Sequence, residues 1–189
     1  GLGDVYKRQG LGTGDGFPLP PGEPAGQRHY GPNGGGQSGY VHDLLRRKLH
    51  TPDFRREYRA VCIGCPSPEE GAVDAPIGRD EDSTVARRVC PGGAAAVTHY
   101  RVLSQKGGFS LVKLTPETGR THQIRVHMAY IGCPLAGDWL YGREDPALIG
   151  RPALHSCGLT MAHPVTGEVL RLAAPMPEDM ARLIREKAL

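Results

Sequence analysis

No run of about eighteen apolar residues occurs in the 189-residue chain, so the sequence offers no helix that would cross a bilayer. Nor does the chain open on a charged segment followed by an apolar one, the pattern of a secretion signal. Cysteine is sparse: five residues, an odd number at irregular spacing. That argues against a disulfide scaffold and makes a reducing cytosol the expected compartment. The short pair Cys62-Ile-Gly-Cys65 lacks the second pair that would complete a tetrahedral site, and His29, His42 and His50 are irregularly placed. No metal is expected. There is no internal repeat. Excess charge is small too: +3 formally, with a pI of about 8.7. Such a balance permits a nucleic-acid partner without requiring one, because a surface patch matters more than the sum.

Core-forming residues are scarce at the start of the chain. Thirteen of the 27 glycines and five of the 17 prolines fall in residues 1–40. A stretch of that composition cannot bury enough apolar surface to offset its ordering entropy. Residues 1–40 are therefore expected to be a Gly/Pro-rich disordered or artefactual segment, and residues 41–189 the folded part. Residue 1 is Gly, and Gly-Leu-Gly-Asp-Val-Tyr-Lys-Arg-Gln (1–9) resembles translated adapter sequence. The expectation is a truncated or chimeric copy of a longer protein.

What the chain does have is a series of short periodic segments. Residues 41–50 place Leu44, Leu45 and Leu49 on one helical face, and Pro52 ends that helix. Residues 58–64 predict a strand. Residues 65–97 are loop-rich, with little periodicity. Residues 98–104 and 109–114 predict two strands of a hairpin around Lys106-Gly107-Gly108. Residues 121–131 predict a helix capped by Thr121, with Ile124, Met128 and Ile131 toward the core, stopped by Gly132 and Pro134. Two strands follow, 153–161 and 169–173, then a closing helix over 178–187 with Met180, Leu183 and Ile184 inside. Strand pairs with a few interspersed helices indicate an α+β fold on a mixed, mostly antiparallel sheet.

Cations concentrate between His99 and His127, where Arg101, Lys106, Lys113, Arg120 and Arg125 face the single acid Glu117. A solvated surface is one reading of this run. The other rests on placement: Thr118-Gly-Arg-Thr121 lies between a strand and a helix start. Main-chain N–H groups there can hold phosphate, and an Arg there can pair bidentately with a phosphate or carboxylate. Trp139 could stack on RNA, but a packed Trp is the simpler expectation. Asp80, Glu81 and Asp82 predict an exposed acidic loop.

Several blocks share one likeness. Leu114-Thr-Pro-Glu-Thr-Gly-Arg-Thr-His-Gln-Ile-Arg-Val-His127 resembles the hallmark of RluA-type pseudouridine synthases. So do Gly132-Cys-Pro-Leu-Ala-Gly-Asp-Trp-Leu-Tyr-Gly142, Ala153-Leu-His155 and His163-Pro-Val-Thr-Gly-Glu168. Upstream, Tyr58-Arg-Ala60, Ala75-Pro-Ile-Gly-Arg79 and Thr98-His-Tyr-Arg-Val102 fit in the same order. The resemblance covers roughly residues 41–189. It implies a pseudouridine synthase-like fold, here truncated, that isomerises uridine within structured RNA, ribosomal or transfer, without cofactor or metal. It implies a cytoplasmic protein, a monomer, with no membrane partner. A family aspartate attacks the nucleoside, and the base detaches, turns and rejoins the ribose through carbon. Tyr58 matches the tyrosine beside the flipped base, and Arg120 the arginine that pairs with the aspartate. Arg101, Lys113, Thr121, His122 and Arg125 are the expected RNA contacts. Read without the family, Tyr58 is a strand-edge aromatic and Arg120 a cap on the sheet.

One family block is missing. The aspartate sits in a His-Arg-Leu-Asp segment upstream of the helix that precedes Tyr58, and this chain has no Asp between Asp15 and Asp43. Asp43 lies in that helix, at the wrong spacing. Three expectations follow: a synthase domain present as an inactive portion, a nucleophile-less RNA-binding module, or a non-functional product with an exposed sheet edge.

Overall fold

The computed structural model describes residue 51, residues 53–163 and residues 166–189. The helix expected over 41–50 and the segment 1–40 lie outside the described residues. Strand β1 (Arg55–Ile63) is buried on both faces near its end: Ala60 and Cys62 face one layer of the core, Val61 and Ile63 the other. Strands β2 (Glu70–Asp74), β3 (Ile77–Arg79) and β4 (Arg87–Val89) follow. The expected loop-rich stretch thus contains three short strands. Val73, Ala75 and Ile77 are buried at alternate positions, a period that Gly71, Asp74 and Pro76 obscure in the sequence.

Strands β5 (Val97–Lys106) and β6 (Phe109–Pro116) form the expected hairpin. Gly107 and Gly108 connect them with φ of 58° and 79°. Both central residues of this tight turn lie in the left-handed region, which side chains other than glycine rarely enter. Helix α1 (Gln123–Tyr130) lies over the sheet, with Ile124 and Met128 packed among Tyr100, Val112 and Leu114. Gly132, with φ of 78°, closes it through its N–H to Ala129 O. Thr121 is not its cap. His122 holds that position at φ 57° without a side-chain cap bond, so the helix starts one residue later than a Thr121 cap would set it.

Strands β7 (Leu154–Ala162) and β8 (Val169–Ala173) pair next, and helix α2 (Glu178–Lys187) ends the chain. Its acids Glu178 and Asp179 sit in the first turn and its bases Arg185 and Lys187 in the last, complementing the helix dipole. Among the described residues the main sheet runs β2-β5-β6-β1-β7-β8, every pairing antiparallel, with β3 and β4 as a separate ribbon. Helix α1 covers one face. On the other, Met180 and Leu183 of α2 pack with Val61, Ala136, Ile149 and Ala153. Burying Met180, Leu183, Val61 or Ile149 each stabilises the fold by about 1.5–3 kcal/mol. Arg151 fixes α2 to the sheet, donating Nε to Asp179 Oδ2 (2.7 Å), Nη2 to Asp179 Oδ1 (2.9 Å) and Nη1 to Leu154 O (3.0 Å).

Candidate active site and RNA-binding residues

In the register of β1 against β6, Tyr58 stands opposite Leu114, and its half-buried ring packs on the α1 side of the sheet. Because the two strands are antiparallel, the chain leaving β6 passes the start of β1. There Thr118-Gly119-Arg120 turns into α1. Val97 N–H donates to Thr118 Oγ1 (3.1 Å), and that hydroxyl donates to Gln123 Oε1 (2.7 Å). The same Oε1 accepts the Arg120 N–H (2.9 Å). The Gln123 side-chain amide in turn donates to Val97 O (2.9 Å) and Thr98 Oγ1 (3.0 Å). Gln123 is buried, and these bonds use both ends of its amide. Its side chain thus sets the turn that carries Arg120.

The network continues inward to His127, which is fully buried. A main-chain oxygen can only accept, so His127 Nε2 carries the proton and donates to Ala75 O (2.9 Å), while Nδ1 accepts from the Thr98 hydroxyl (2.9 Å). Burial lowers the affinity of His127 for a second proton, against smaller opposing effects of the Ala75 carbonyl and Asp74. His122 is likewise shifted down, by burial first and then by Arg125 and Arg87; its Nδ1 lies 2.8 Å from the Tyr141 hydroxyl.

The expected site residues do not all share one surface. Tyr58 and Arg120 lie at the same end of the β1–β6 pair, with Thr121 and His122 immediately beyond. Arg120 is exposed and donates Nε to Ala95 O (2.9 Å). Arg125 is turned inward: its Nε and Nη2 each stand 2.7 Å from the carboxylate of Asp138, which is fully buried, and its guanidinium lies 4.9 Å from the centre of the Tyr141 ring. Arg101 and Lys113 sit directly opposite each other on β5 and β6, on the sheet face away from Tyr58. Arg101 makes a bidentate pair with Glu70 (2.9 and 2.7 Å), and Lys113 pairs with Glu57 (2.6 Å). A pocket of about 180 Å³ on that face is lined by Glu70, His99, Tyr100, Arg101, Lys113 and Thr115. It lies at the level of Tyr58 along the strands, but on the opposite face of the sheet.

Trp139 is 60% exposed, contrary to the packed position expected for it. The turn around it is held from below by Asp138, whose Oδ1 accepts the N–H groups of Leu140 and Tyr141. Sequence reasoning passed over Arg56 and Gln123. The available signals were modest: Arg56 precedes Tyr58 by one strand repeat, and Gln123 follows Arg120 by one helical turn. All five cysteines are free thiols. Cys62 is held protonated by burial and then by its neighbours Cys133 and Cys65. Among the described residues, no three His, Cys, Asp or Glu side chains are placed to hold a metal ion, and no helix is long and apolar enough to cross a membrane.

A family model described as RNA pseudouridylate synthase matches residues 36–130. The chain is 48% identical over 148 residues to the uncharacterized RNA pseudouridine synthase YjbO of Bacillus subtilis, a span of 77% of this chain and 51% of that protein. It is 42% identical over 149 residues to the ribosomal large subunit pseudouridine synthase D of Nitrosomonas europaea, covering 75% and 43%. Among solved structures, human RNA pseudouridylate synthase domain containing 4 aligns with a TM-score of 0.60 and 26% identity, over 80% of this chain and 67% of that one. The chain thus spans about half the length of the curated relatives it matches. With the ordered sequence blocks and the shared fold, these matches establish that the chain belongs to the RNA pseudouridylate synthase family, in its RluA-type branch.

Proposed function

We propose that the chain supplies the Tyr58 and Arg120 side of an RNA pseudouridine synthase site, acting on ribosomal or transfer RNA, and that its 189 residues alone do not turn uridine over. Tyr58 stacks on the flipped base, and Arg120 pairs with a family aspartate that these 189 residues do not supply. The isomerisation breaks the C1′–N1 bond, forms C1′–C5, and exchanges the C5 hydrogen for one on N1. It balances without an electron donor or acceptor, so no cofactor is required. Arg101, Lys113, Thr121, His122 and Arg125 are proposed RNA contacts. Of these, Arg125 would reach RNA only by leaving Asp138, and Arg101 and Lys113 would contact a strand passing over the opposite face. We place the protein in the cytoplasm as a monomer, with its domain over 41–189.

The observation that carries this proposal is the turn 118–120, which brings Arg120 to the Tyr58 end of β1 in a chain whose family isomerises uridine. The test is to incubate the 189-residue protein and the complete gene product with ribosomal and transfer RNA, then map pseudouridine chemically. The complete product should convert uridine; the 189-residue protein should bind RNA without conversion. Conversion by the shorter protein would point to Asp43 as an unusual nucleophile. RNA binding without conversion by the complete product would make this a binding module.

A further inference from the structure

The turn that carries Arg120 is held from two sides. Gln123 holds it from α1. From the other side Arg56, on β1 two residues before Tyr58, donates Nη2 to Thr118 O (2.9 Å). The Arg56 guanidinium lies against Gly119: a Cβ on that residue would stand 3.0 Å from Nη1, 3.4 Å from Nη2 and 3.7 Å from Cζ. Gly119 does not lie in the left-handed region, so its lack of a side chain serves the close approach of the guanidinium and not the backbone angle. Arg59, Arg88, Arg101, Arg125 and Arg151 each face a carboxylate. Arg56 donates instead to the Thr118 carbonyl within the turn, and Arg120 to the Ala95 carbonyl just before β5. Arg56 Nε is buried with no hydrogen-bond partner among the described residues.

We propose that Arg56 is a positioning residue for Arg120. Its Nη2 fixes the Thr118 carbonyl, its Nη1–Nη2 edge fills the space that Gly119 leaves open, and together they set the direction in which the Arg120 side chain departs. A guanidinium can meet a carboxylate bidentately only if its base is fixed, and small displacements of a positioned group are costly to catalysis. The consequence for chemistry rests on the function proposed above; the geometric claim does not.

Amide hydrogen exchange on the 189-residue protein tests it. The Arg120 N–H, bonded to Gln123 Oε1, and the Val97 N–H, bonded to Thr118 Oγ1, report on the turn. In Arg56→Met both should exchange about tenfold faster, equivalent to about 1.4 kcal/mol, while core amides of β1 and β6 keep their wild-type rates. Arg56→Lys, which retains a donor for Thr118 O, should recover part of the protection. Gly119→Val, which displaces the guanidinium with Arg56 intact, should loosen the turn in the same way and keeps the test open if Arg56→Met unfolds. Unchanged turn protection in both Arg56→Met and Gly119→Val would overturn the proposal. So would core amides that accelerate in step with the turn. Loss of protection together with a complete gene product that makes no pseudouridine would leave Arg56 in this role and remove the enzymatic function. Retained protection in a converting enzyme would do the reverse.

Discussion

Asp138 shares its buried carboxylate among the Arg125 guanidinium and two main-chain amides. Asp138→Ala should therefore cost about 3–5 kcal/mol, because it strands a largely buried guanidinium; urea unfolding measures it. Trp139→Ala, one residue on but exposed, should change stability by no more than about 0.5 kcal/mol in the same assay. Arg120→Met carries the opposite signature. In the complete gene product it should abolish single-turnover pseudouridine formation yet weaken RNA binding only modestly, since the other cations remain. Near-normal turnover would make Arg120 structural, and parallel loss of binding and turnover would make it a phosphate contact. Arg125 shows where residue-level reading stops. Its charge and motif point outward to RNA, but its partner lies 13 residues away beyond the end of α1, and sequence spacing does not show that a carboxylate waits beneath it.

The elements were legible where a local rule and the tertiary context agree. Lys106-Gly107-Gly108 between two alternating runs is enough to specify a hairpin. Gly108→Val should cost about 1–2 kcal/mol through its left-handed φ, read as a lower urea midpoint with an unchanged slope. The ribbon β3–β4 was hidden because each of its strands is only three residues long, and β2 because it is short and gains its pairing from a later strand, as Val73 does opposite Thr98. The start of α1 was misplaced because Gln123, not Thr121, satisfies the free donors of the turn. His127 joins that helix to β5 in its neutral form. Its proton affinity is lowered on folding, so the unfolded chain takes up the proton first. Its stabilising contribution is complete above the ordinary value of 6.5 and is lost as pH falls through the lowered folded value. Melting temperature should drop between about pH 7.5 and 5.5, and His127→Gln should flatten that drop. An equal drop in the variant would assign it to His122 or elsewhere.

For the whole molecule, the separation of cations onto two faces bears on RNA binding. Affinity should fall as salt rises, because each phosphate neutralised releases counterions. Dissociation constants at several salt concentrations check this, and a flat dependence would argue against phosphate contacts. The order of the sheet has a temporal consequence as well. Strand β1 lies between β6 and β7 and is made first of the three. Its contact with β7, such as Cys157 Sγ to Glu57 O, joins residues 100 positions apart. At ribosomal elongation rates the β7-facing edge of β1 waits roughly 5–20 s for its partner, while the β5–β6 hairpin closes almost at once on its two-residue turn. The nascent chain therefore passes through a β2-β5-β6-β1 sheet whose β1 edge is bare, the stage at which pairing with a neighbouring chain competes. Ribosome-stalled chains ending before residue 154 should show protected β1–β6 amides and a strong tendency to self-associate; release of the full chain should remove it.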